Sequence, residues 1–455
     1  MAELQTGRNA CPTMKSILIK GAILLTMDER DSIVRGDLLI RDGRIASLGA
    51  TGGTADVVIE ATGCAVLPGF VQTHIHLCQT LFRGAADDLA LLDWLKKRVW
   101  PMEAAHTADS IRASARLGVA ELIKGGTTCA LTMETVNHTE EVFRVVDETG
   151  FRATIGKCMM DAGDDVPAAL HEETESSIKE CLALLDAWHG KANGRIRYCF
   201  APRFALSCSR ELLARVGQLA KEREVMVHTH ASENKNECAL VEAETGLRNV
   251  TYLHSLGVSG RHVMLAHCVH LDATEFQTLA STRTNVAHCP SSNLKLGSGI
   301  AEVTRMLDAG ITVSLGADGA ACNNRLDMFT EMRSMALLQK ALHGSQVIPA
   351  RQALRMATID GASALGLNNE IGTLDAGKRA DVVVVNLNAL HSSPYLTDPV
   401  SALVYSAQTS DVQSVVVDGQ LLMKDRELLT IDEKTVLHDA NRERAELLRR
   451  AGIEG

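Results

Sequence analysis

Residues 67–79 read Leu67-Pro-Gly-Phe-Val-Gln-Thr-His-Ile-His-Leu-Cys-Gln79, an apolar run that ends in two histidines. Side chains alternate between the two faces of a strand, so His74 and His76 point to the same side. Two imidazoles on one face, at the end of a buried strand, form half of a transition-metal site. Polar residues also close strands for purely structural reasons, so the interpretation depends on whether other polar strand ends follow.

Three further apolar runs end in residue types that bind metals. They are Val225-Met-Val-His-Thr-His230, Val263-Met-Leu-Ala-His267 and Ile311-Thr-Val-Ser-Leu-Gly-Ala-Asp318. Three neutral imidazoles and one carboxylate suit Zn²⁺ or Fe²⁺ and leave a position for water. His228 faces the same side as His230 and is an alternative ligand. We favour His230 because it lies nearest the strand end and three residues before Glu233.

His267 and Asp318 each have a structural alternative. His267 could be a core histidine with satisfied hydrogen bonds, and Asp318 could cap a turn with Gly319. Within the ordered series of polar strand ends we interpret both as site residues. A carboxylate directly after an apolar run needs a charged partner, and a metal supplies one.

The alternation of segments along the chain indicates the fold class. From about residue 68 to 370, apolar strands alternate with segments of 3.6-residue period such as residues 210–220. Repeated βα units imply a parallel sheet, and their number favours a closed (β/α)8 TIM barrel over an open sheet. Both flanks are rich in short strands, and Asp42-Gly43 and Asp418-Gly419 are typical of hairpin turns. We predict an α/β protein with a small composite β-sandwich (1–67 and 371–430), a barrel (68–370) and a C-terminal helix (431–455).

Composition limits the partners and the compartment. The chain has 455 residues, a net charge of −10 and scattered basic residues, which argues against a nucleic-acid partner. No run approaches the roughly 18 apolar residues of a membrane span, and the first residues lack the apolar core of a secretion signal. The 12 cysteines are dispersed and form no C-x-x-C pair. We therefore expect reduced thiols and a cytoplasmic enzyme without a membrane partner.

Five ordered motifs resemble the metal-dependent amidohydrolase superfamily. They are Leu67-Pro-Gly-Phe with the following His-Ile-His76, His230-Ala-Ser-Glu233, Ala266-His-Cys268, His288-Cys-Pro-Ser-Ser-Asn293 and Gly316-Ala-Asp-Gly319. The chain is most similar to the branch of adenosine-derivative deaminases (5′-methylthioadenosine, S-adenosylhomocysteine and 5′-deoxyadenosine), guanine deaminases and triazine hydrolases. The resemblance covers about residues 15–425 and implies the same barrel and composite sandwich.

The resemblance also implies one divalent metal, for which we predict Zn²⁺ with Fe²⁺ as the alternative. The implied ligands are His74, His76, His230 and Asp318. Relatives with two metals carry a bridging lysine after the fourth strand. In this chain that strand ends in Ala201-Pro-Arg203-Phe, which has no lysine and favours a mononuclear site.

The expected reaction is hydrolytic deamination of an amino-substituted purine, giving the oxo product and ammonia. Asp318 would accept a proton from water, Glu233 would carry a proton to the ring nitrogen, and His267 would stabilise the developing oxygen charge. One alternative is an s-triazine or pterin amino- or chlorohydrolase. Chloride leaves without a proton, so Glu233 favours ammonia release. A non-catalytic binding barrel is a further alternative.

Four residues are predicted to contact the substrate, a small nitrogen heterocycle. The segment Trp100-Pro-Met-Glu103 resembles the one with which adenosine-derivative deaminases hold ribose hydroxyls, although Glu103 could simply be a charge at a helix start. Arg203 and Gln79 instead resemble the guanine deaminase pair that holds the edge of a carbonyl-bearing ring. The resemblance leaves these substrates open, and it implies a homo-oligomer of two or more subunits.

Overall fold

A sheet of parallel strands forms the centre of the molecule. The computed structural model describes residues 15–50 and 52–453. In spatial order, the barrel strands are Phe70–His76, Thr127–Met133, Arg152–Met159, Ile196–Pro202, Met226–Ala231, Val263–His267, Asn285–His288 and Val313–Leu315. After the eighth strand, Val313–Leu315, the chain forms the short strand Asp318–Gly319. This short strand pairs with the first barrel strand, with Asp318 opposite Ile75. The sheet therefore closes, and the prediction of a (β/α)8 barrel is confirmed.

Helices follow the barrel strands. Their bounds are Ala108–Lys124, Glu140–Thr149, Thr174–Trp188, Arg210–Glu222, Lys235–Thr245, Asn249–Ser255, Ala273–Thr282, Pro290–Lys295, Val303–Asp308, Met328–His343, Ala350–Met356 and Ile359–Ala364. The helix Glu140–Thr149 is representative, since it buries Val142, Phe143 and Val146 on one face. Most barrel strands are buried along their length because the sheet is covered on both faces.

Both flanks of the barrel sequence build a second sheet. Its strands are Ser16–Leu25, Ile33–Arg41, Arg44–Gly49, Val57–Glu60, Cys64–Pro68, Val382–Asn386, Val412–Val417, Gln420–Lys424 and Glu427–Leu428. Strand Cys64–Pro68 pairs antiparallel with Val382–Asn386, so the two ends of the chain join there. Leu24 and Val384 pack in a separate hydrophobic core that belongs to this sheet. Their chain neighbours Leu25 and Val383 pack in the hydrophobic core of the barrel. The prediction of one composite β-unit is confirmed.

Two hairpin tips of this sheet touch each other. Asp42 and Gly43 have φ angles of 48° and 79°, and Asp418 and Gly419 have 52° and 77°. Positive φ at both central residues is typical of the turns that join paired strands. A Cβ atom on Gly419 would lie 2.3 Å from Cα of Gly43, so a side chain there would separate the tips. Both hairpin predictions are confirmed.

The segment that follows the first barrel strand is held by the C-terminal helix Glu433–Ala451. Arg444 donates to the carbonyls of Leu81 (2.7 Å) and Arg83 (2.6 Å). This segment contains the 3₁₀ turns Leu77–Phe82, the short helices Leu91–Trp94 and Trp100–Ala104, and the π turn Leu95–Val99 between them. The C-terminal helix therefore supports the part of the chain that reaches over the barrel mouth.

Other short elements complete the described chain: the helix Pro399–Tyr405 and the 3₁₀ turns Ala205–Ser207 and Thr409–Asp411. The eleven cysteines in the described residues are free and buried. Within the same residues we find no helix long and apolar enough to cross a membrane. The predicted domain boundaries stay predictions. Residues 1–14 of the first predicted domain and residues 454–455 of the predicted C-terminal helix lie outside the described residues.

Candidate metal centre and active site

Polar side chains from four barrel strands meet at one rim of the barrel. His74 and His76 end the first strand, His230 lies near the end of the fifth, His267 ends the sixth, and Asp318 belongs to the eighth. In a parallel barrel all strands end at the same face, which is where barrel enzymes hold their sites. The structure thus brings together the residues that the sequence series singled out.

Hydrogen bonds to Nδ1 orient the imidazoles of three histidines. The contacts are His76 Nδ1 to the carbonyl of Met133 (2.7 Å), His230 Nδ1 to the carbonyl of Arg203 (2.7 Å) and His74 Nδ1 to Nε2 of His228 (2.8 Å). A carbonyl only accepts, so Nδ1 of His76 and of His230 carries the proton and Nε2 keeps its lone pair. Histidines that bind a metal commonly have such an acceptor on the other ring nitrogen, which fixes the tautomer and the orientation of the ring.

The atoms that could hold a metal lie close together. One nitrogen each of His74, His76 and His230 lie within 4.8 Å of one another, as do the ligand atoms of His74, His267 and Asp318. Oδ1 of Asp318 is 3.3 Å from Nε2 of both His74 and His76. His228 belongs to neither group, and its Nε2 is hydrogen-bonded to Nδ1 of His74.

The donor set fits a divalent cation. Nε2 of His74 is buried and has no hydrogen-bond partner in the described part of the chain. Burial lowers the pKa of His74 to about 4 and that of His230 well below its usual value, so both are neutral at pH 7. Neutral imidazoles beside one ionised carboxylate are the ligands that Zn²⁺ or Fe²⁺ accepts.

Asp318 stays ionised although it is buried. Burial alone would raise its pKa, but His74, His76 and His267 outweigh burial and hold that pKa well below its usual range. Its backbone φ of 63°, like the 74° of His267, lies in the left-handed region that non-glycine residues rarely adopt. Such strain costs about 1–3 kcal/mol per residue and is concentrated at functional sites.

Two glycines let the strand of Asp318 approach its neighbours. A Cβ atom on Gly316 would lie 2.5 Å from the carbonyl oxygen of His74, and one on Gly319 would lie 2.1 Å from Oε1 of Gln79. A side chain at Gly316 would therefore push this strand away from the backbone of His74, whereas one at Gly319 would displace the amide of Gln79. The glycines of the Gly-Ala-Asp-Gly motif are therefore explained by close packing.

Glu233 and His267 form a pair beside the candidate ligands. Oε2 of Glu233 is 3.5 Å from Nε2 of His267, and its Oε1 is buried without a partner in the described residues. Burial raises the pKa of Glu233 to about 7, against the opposing effect of His267. Burial lowers the pKa of His267, but Glu233 and Asp318 outweigh it and the net pKa is raised. A carboxyl with a pKa near 7 exchanges protons readily at neutral pH.

A cavity opens above this pair. Its apolar wall consists of Leu91, Trp94, Leu95, Phe204 and Leu296. Apolar walls with a few polar groups are typical of small-molecule sites.

Three buried side chains, which we call the edge cluster, lie at one side of the cavity: Gln79, Glu103 and Arg203. Arg203 donates to both oxygens of Glu103, at 2.6 and 3.2 Å, and Nε2 of Gln79 donates to Oε1 of Glu103 at 2.9 Å. Oε1 of Gln79 is buried without a partner in the described chain. Glu103 is thus an acceptor shared by two donors, and the side-chain oxygen of Gln79 lies against Gly319.

Of the four predicted substrate residues, two line the cavity and two do not. Gln79 and Arg203 line the cavity, whereas Glu103 lies behind them and Trp100 packs in an apolar cluster. Trp94, which the sequence reasoning did not select, lines the cavity instead. That reasoning also assigned no role to Ser292 and Asn293, which contact Asp318 and His267. Their sequence signal is the motif His288-Cys-Pro-Ser-Ser-Asn293, which contributed to the family resemblance without a role for these two residues.

The closed barrel with convergent histidines and carboxylates defines a TIM-barrel hydrolase. The chain belongs to the amidohydrolase family, whose model matches residues 65–422.

Similar proteins agree with this assignment over nearly the whole chain. A 5′-deoxyadenosine deaminase of Methanothermobacter thermautotrophicus is 43% identical over 436 residues, covering 95% of this chain and 99% of that protein. A 5-methylthioadenosine/S-adenosylhomocysteine deaminase of Syntrophomonas wolfei is 41% identical and covers 94% and 98%. The crystal structure of an adenosine deaminase from Xanthomonas campestris with bound zinc superimposes with a TM-score of 0.89 at 31% identity, covering 95% and 98%.

These matches confirm the predicted family and the prediction of a hydrolytic enzyme that acts on C–N bonds. The roles of individual site residues, the identity of the metal, the homo-oligomeric state and the cytoplasmic location stay predictions.

Proposed function

We propose that this chain is a metal-dependent deaminase that hydrolyses the amino group of a 5′-deoxy- or 5′-substituted adenosine, giving the oxo purine and ammonia. The observation that carries the proposal is the position of Glu233. This carboxyl, with a pKa raised by burial to about 7, faces His267 beside the convergent histidines. The relatives with 43% and 41% identity are named as deaminases of such nucleosides, which supports the choice of substrate.

The proposed metal is Zn²⁺, held by His74, His76, His230 and Asp318. Three imidazoles and a carboxylate are a common zinc ligand set, and the Xanthomonas campestris relative was crystallised with zinc. Fe²⁺ is the alternative that the same donors accept. A divalent ion held by these residues would lower the pKa of a bound water to about 7 and so would supply a nucleophile at neutral pH.

The side chains then divide the proton transfers among themselves. Asp318 accepts the proton of the attacking water, and Glu233 delivers a proton to the ring nitrogen next to the attacked carbon. His267 donates from Nε2 to the oxygen that develops negative charge. Asp318 then passes its proton to the amino group, ammonia leaves, and the proton of the new hydroxyl on the attacked carbon returns to Glu233. Both carboxyls regain their starting states, so one water is consumed for each ammonia released.

The similar deaminases, rather than the polarity of the edge cluster, favour a nucleoside over guanine. Glu103 accepts from one N–H of Gln79 and from Arg203, and the side-chain oxygen of Gln79 has no partner in the described chain. A ribose hydroxyl, which both donates and accepts, can pair with such groups, and so can the edge of guanine, where a carbonyl stands beside an N–H. With a nucleoside as the substrate, we assign Gln79 and Arg203 to the sugar, with Glu103 fixing both and Trp100 supporting them from the apolar cluster.

An ammonia-release assay with zinc-loaded protein tests the proposal. We expect turnover of 5′-deoxyadenosine, 5′-methylthioadenosine or S-adenosylhomocysteine, slower turnover of 2′,3′-dideoxyadenosine, and none of guanine. Guanine turnover without adenosine turnover would favour the guanine deaminase alternative. Hydrolysis of an aminotriazine or chlorotriazine alone would favour the triazine alternative. A fully metal-loaded protein that hydrolyses none of these substrates would contradict the proposal and favour a binding barrel.

A further inference from the structure

A six-residue helix, Pro290–Lys295, begins directly after the seventh barrel strand and enters the rim of the site. We call it the bracket helix. Proline at its first position fixes the start of the helix. Ser292 and Asn293, in its first turn, are at most 1% exposed. Buried polar side chains need a partner, and both find one on a residue of the site rather than in their own helix.

Asn293 contacts His267. Its Oδ1 accepts from Nδ1 of His267 at 2.9 Å. An amide oxygen cannot donate, so this bond fixes the ring with Nδ1 toward the helix and Nε2 toward Glu233, 3.5 Å away. The Nδ2 group of Asn293 is buried and has no partner in the described chain. The position of this amide is thus explained by His267 alone.

Ser292 contacts Asp318. Its hydroxyl donates to Oδ2 of Asp318 at 2.6 Å, while Oδ1 accepts from the backbone N–H of Gly319 at 2.7 Å. The two bonds fix the rotation of the carboxylate, so Oδ1 faces Nε2 of His74 and of His76, at 3.3 Å from each. Without Ser292 the carboxylate could rotate about its Cβ–Cγ bond.

We propose that Ser292 and Asn293 are positioning residues: through one short helix they hold Asp318 toward the histidines and His267 toward Glu233. The inference rests on the proposed function for the catalytic roles of Asp318 and His267. The contacts themselves are independent of the substrate. Loss of a partner behind a metal ligand typically costs about 10- to 100-fold in metal affinity or activity.

The Asn293 contact is tested with Asn293→Leu, which removes the acceptor, and Asn293→Asp, which keeps an acceptor at the same place. We expect Asn293→Leu to lower kcat, by no more than about 10²- to 10³-fold, which is what loss of an oxyanion donor costs, with KM and metal content unchanged, and Asn293→Asp to restore most of kcat. The control is Leu294→Ala on the same helix, since Leu294 is 46% exposed. Wild-type kcat in Asn293→Leu, or equal losses in the Leu and Asp variants, would overturn the assignment. If the Leu variant fails to fold, Asn293→Ala is judged by the same criteria.

The Ser292 contact is tested without substrate. We expect Ser292→Ala to bind Zn²⁺ about 10-fold more weakly than wild type in competition with a chromophoric chelator, whereas Leu294→Ala binds normally. Equal affinity in Ser292→Ala and wild type would overturn this half of the proposal. This readout also separates the two proposals. If no adenosine derivative is deaminated but Ser292→Ala still loses affinity, the proposed function fails and the positioning role stands.

Discussion

The rim and the edge cluster hold their side chains in different ways. At the rim, His76 and His230 are each fixed by a backbone carbonyl of a neighbouring strand or strand end. In the edge cluster, Gln79, Glu103 and Arg203 are fixed mainly by one another, and they come from three separate segments. The geometry of the rim therefore follows from the barrel itself, whereas that of the edge cluster depends on every member being present. Catalysis and substrate choice should respond differently to substitution.

The largest expected effect is at the rim. Glu233→Gln keeps the shape of the side chain but removes the proton carrier, so turnover should fall by about 10²- to 10⁴-fold. Metal content should not change, because Glu233 is not a proposed ligand. Ammonia release and metal analysis measure the two quantities, with the exposed Glu244→Gln on the following helix as control. Retention of near wild-type turnover would remove Glu233 from the mechanism.

The edge cluster should respond in stability and in KM. Glu103→Gln leaves Arg203 charged and buried without a counterion, and breaking one side of such a pair costs about 3–5 kcal/mol. Urea denaturation of the zinc-loaded protein measures this loss. The double variant Glu103→Leu/Arg203→Met removes both charges and should recover most of the stability, but not the KM. A double variant that is as unstable as Glu103→Gln would show that the ion pair is not the cause.

The same contrast explains how much the sequence could predict. His74, His76, His230 and Asp318 could be found because strand ends of a parallel barrel share one face, so order along the chain predicts proximity. Glu103 and Trp100 lie in a segment of short helices with a π turn, Leu95–Val99. Which side chain of such a segment reaches the cavity depends on packing, and Trp94 takes the place expected for Trp100. The partner of Glu103 could not be predicted either, since Arg203 lies 100 residues away.

A smaller effect should appear in the pH dependence of stability. Glu331 accepts from the backbone N–H of Ser291 and from Nδ2 of Asn323, behind the rim, and burial raises its pKa from 4.5 to about 7. Between these values the folded chain binds more protons than the unfolded chain. The free energy of unfolding therefore falls as pH rises, by up to about 3 kcal/mol from this group.

Glu331→Gln should remove that dependence. The unfolding free energy of wild type minus that of Glu331→Gln should fall as pH rises from about 5 to about 8. Arg203 of the edge cluster should add nothing to this slope, because Glu103 outweighs burial and raises the pKa of Arg203, which stays charged throughout. Denaturation at several pH values measures the difference. A value of wild type minus variant that rises with pH would contradict the raised pKa of Glu331.

The smallest effect is expected at Lys295, which connects the two regions. Lys295 lies on the bracket helix, and its ammonium contacts Asp87 and Asn324. Asp87 belongs to the segment that follows the first barrel strand, and Asn324 follows the last barrel strand. Lys295 is partly exposed, so Lys295→Met should cost no more than about 1 kcal/mol in stability. KM should rise by no more than about fivefold with kcat unchanged, since 1.4 kcal/mol corresponds to tenfold in binding. The control is Lys235→Met, which removes an exposed lysine. If kcat falls in Lys295→Met but not in Lys235→Met, the contacts of Lys295 also hold the bracket helix in place. The rim and the edge cluster would then be coupled through Lys295.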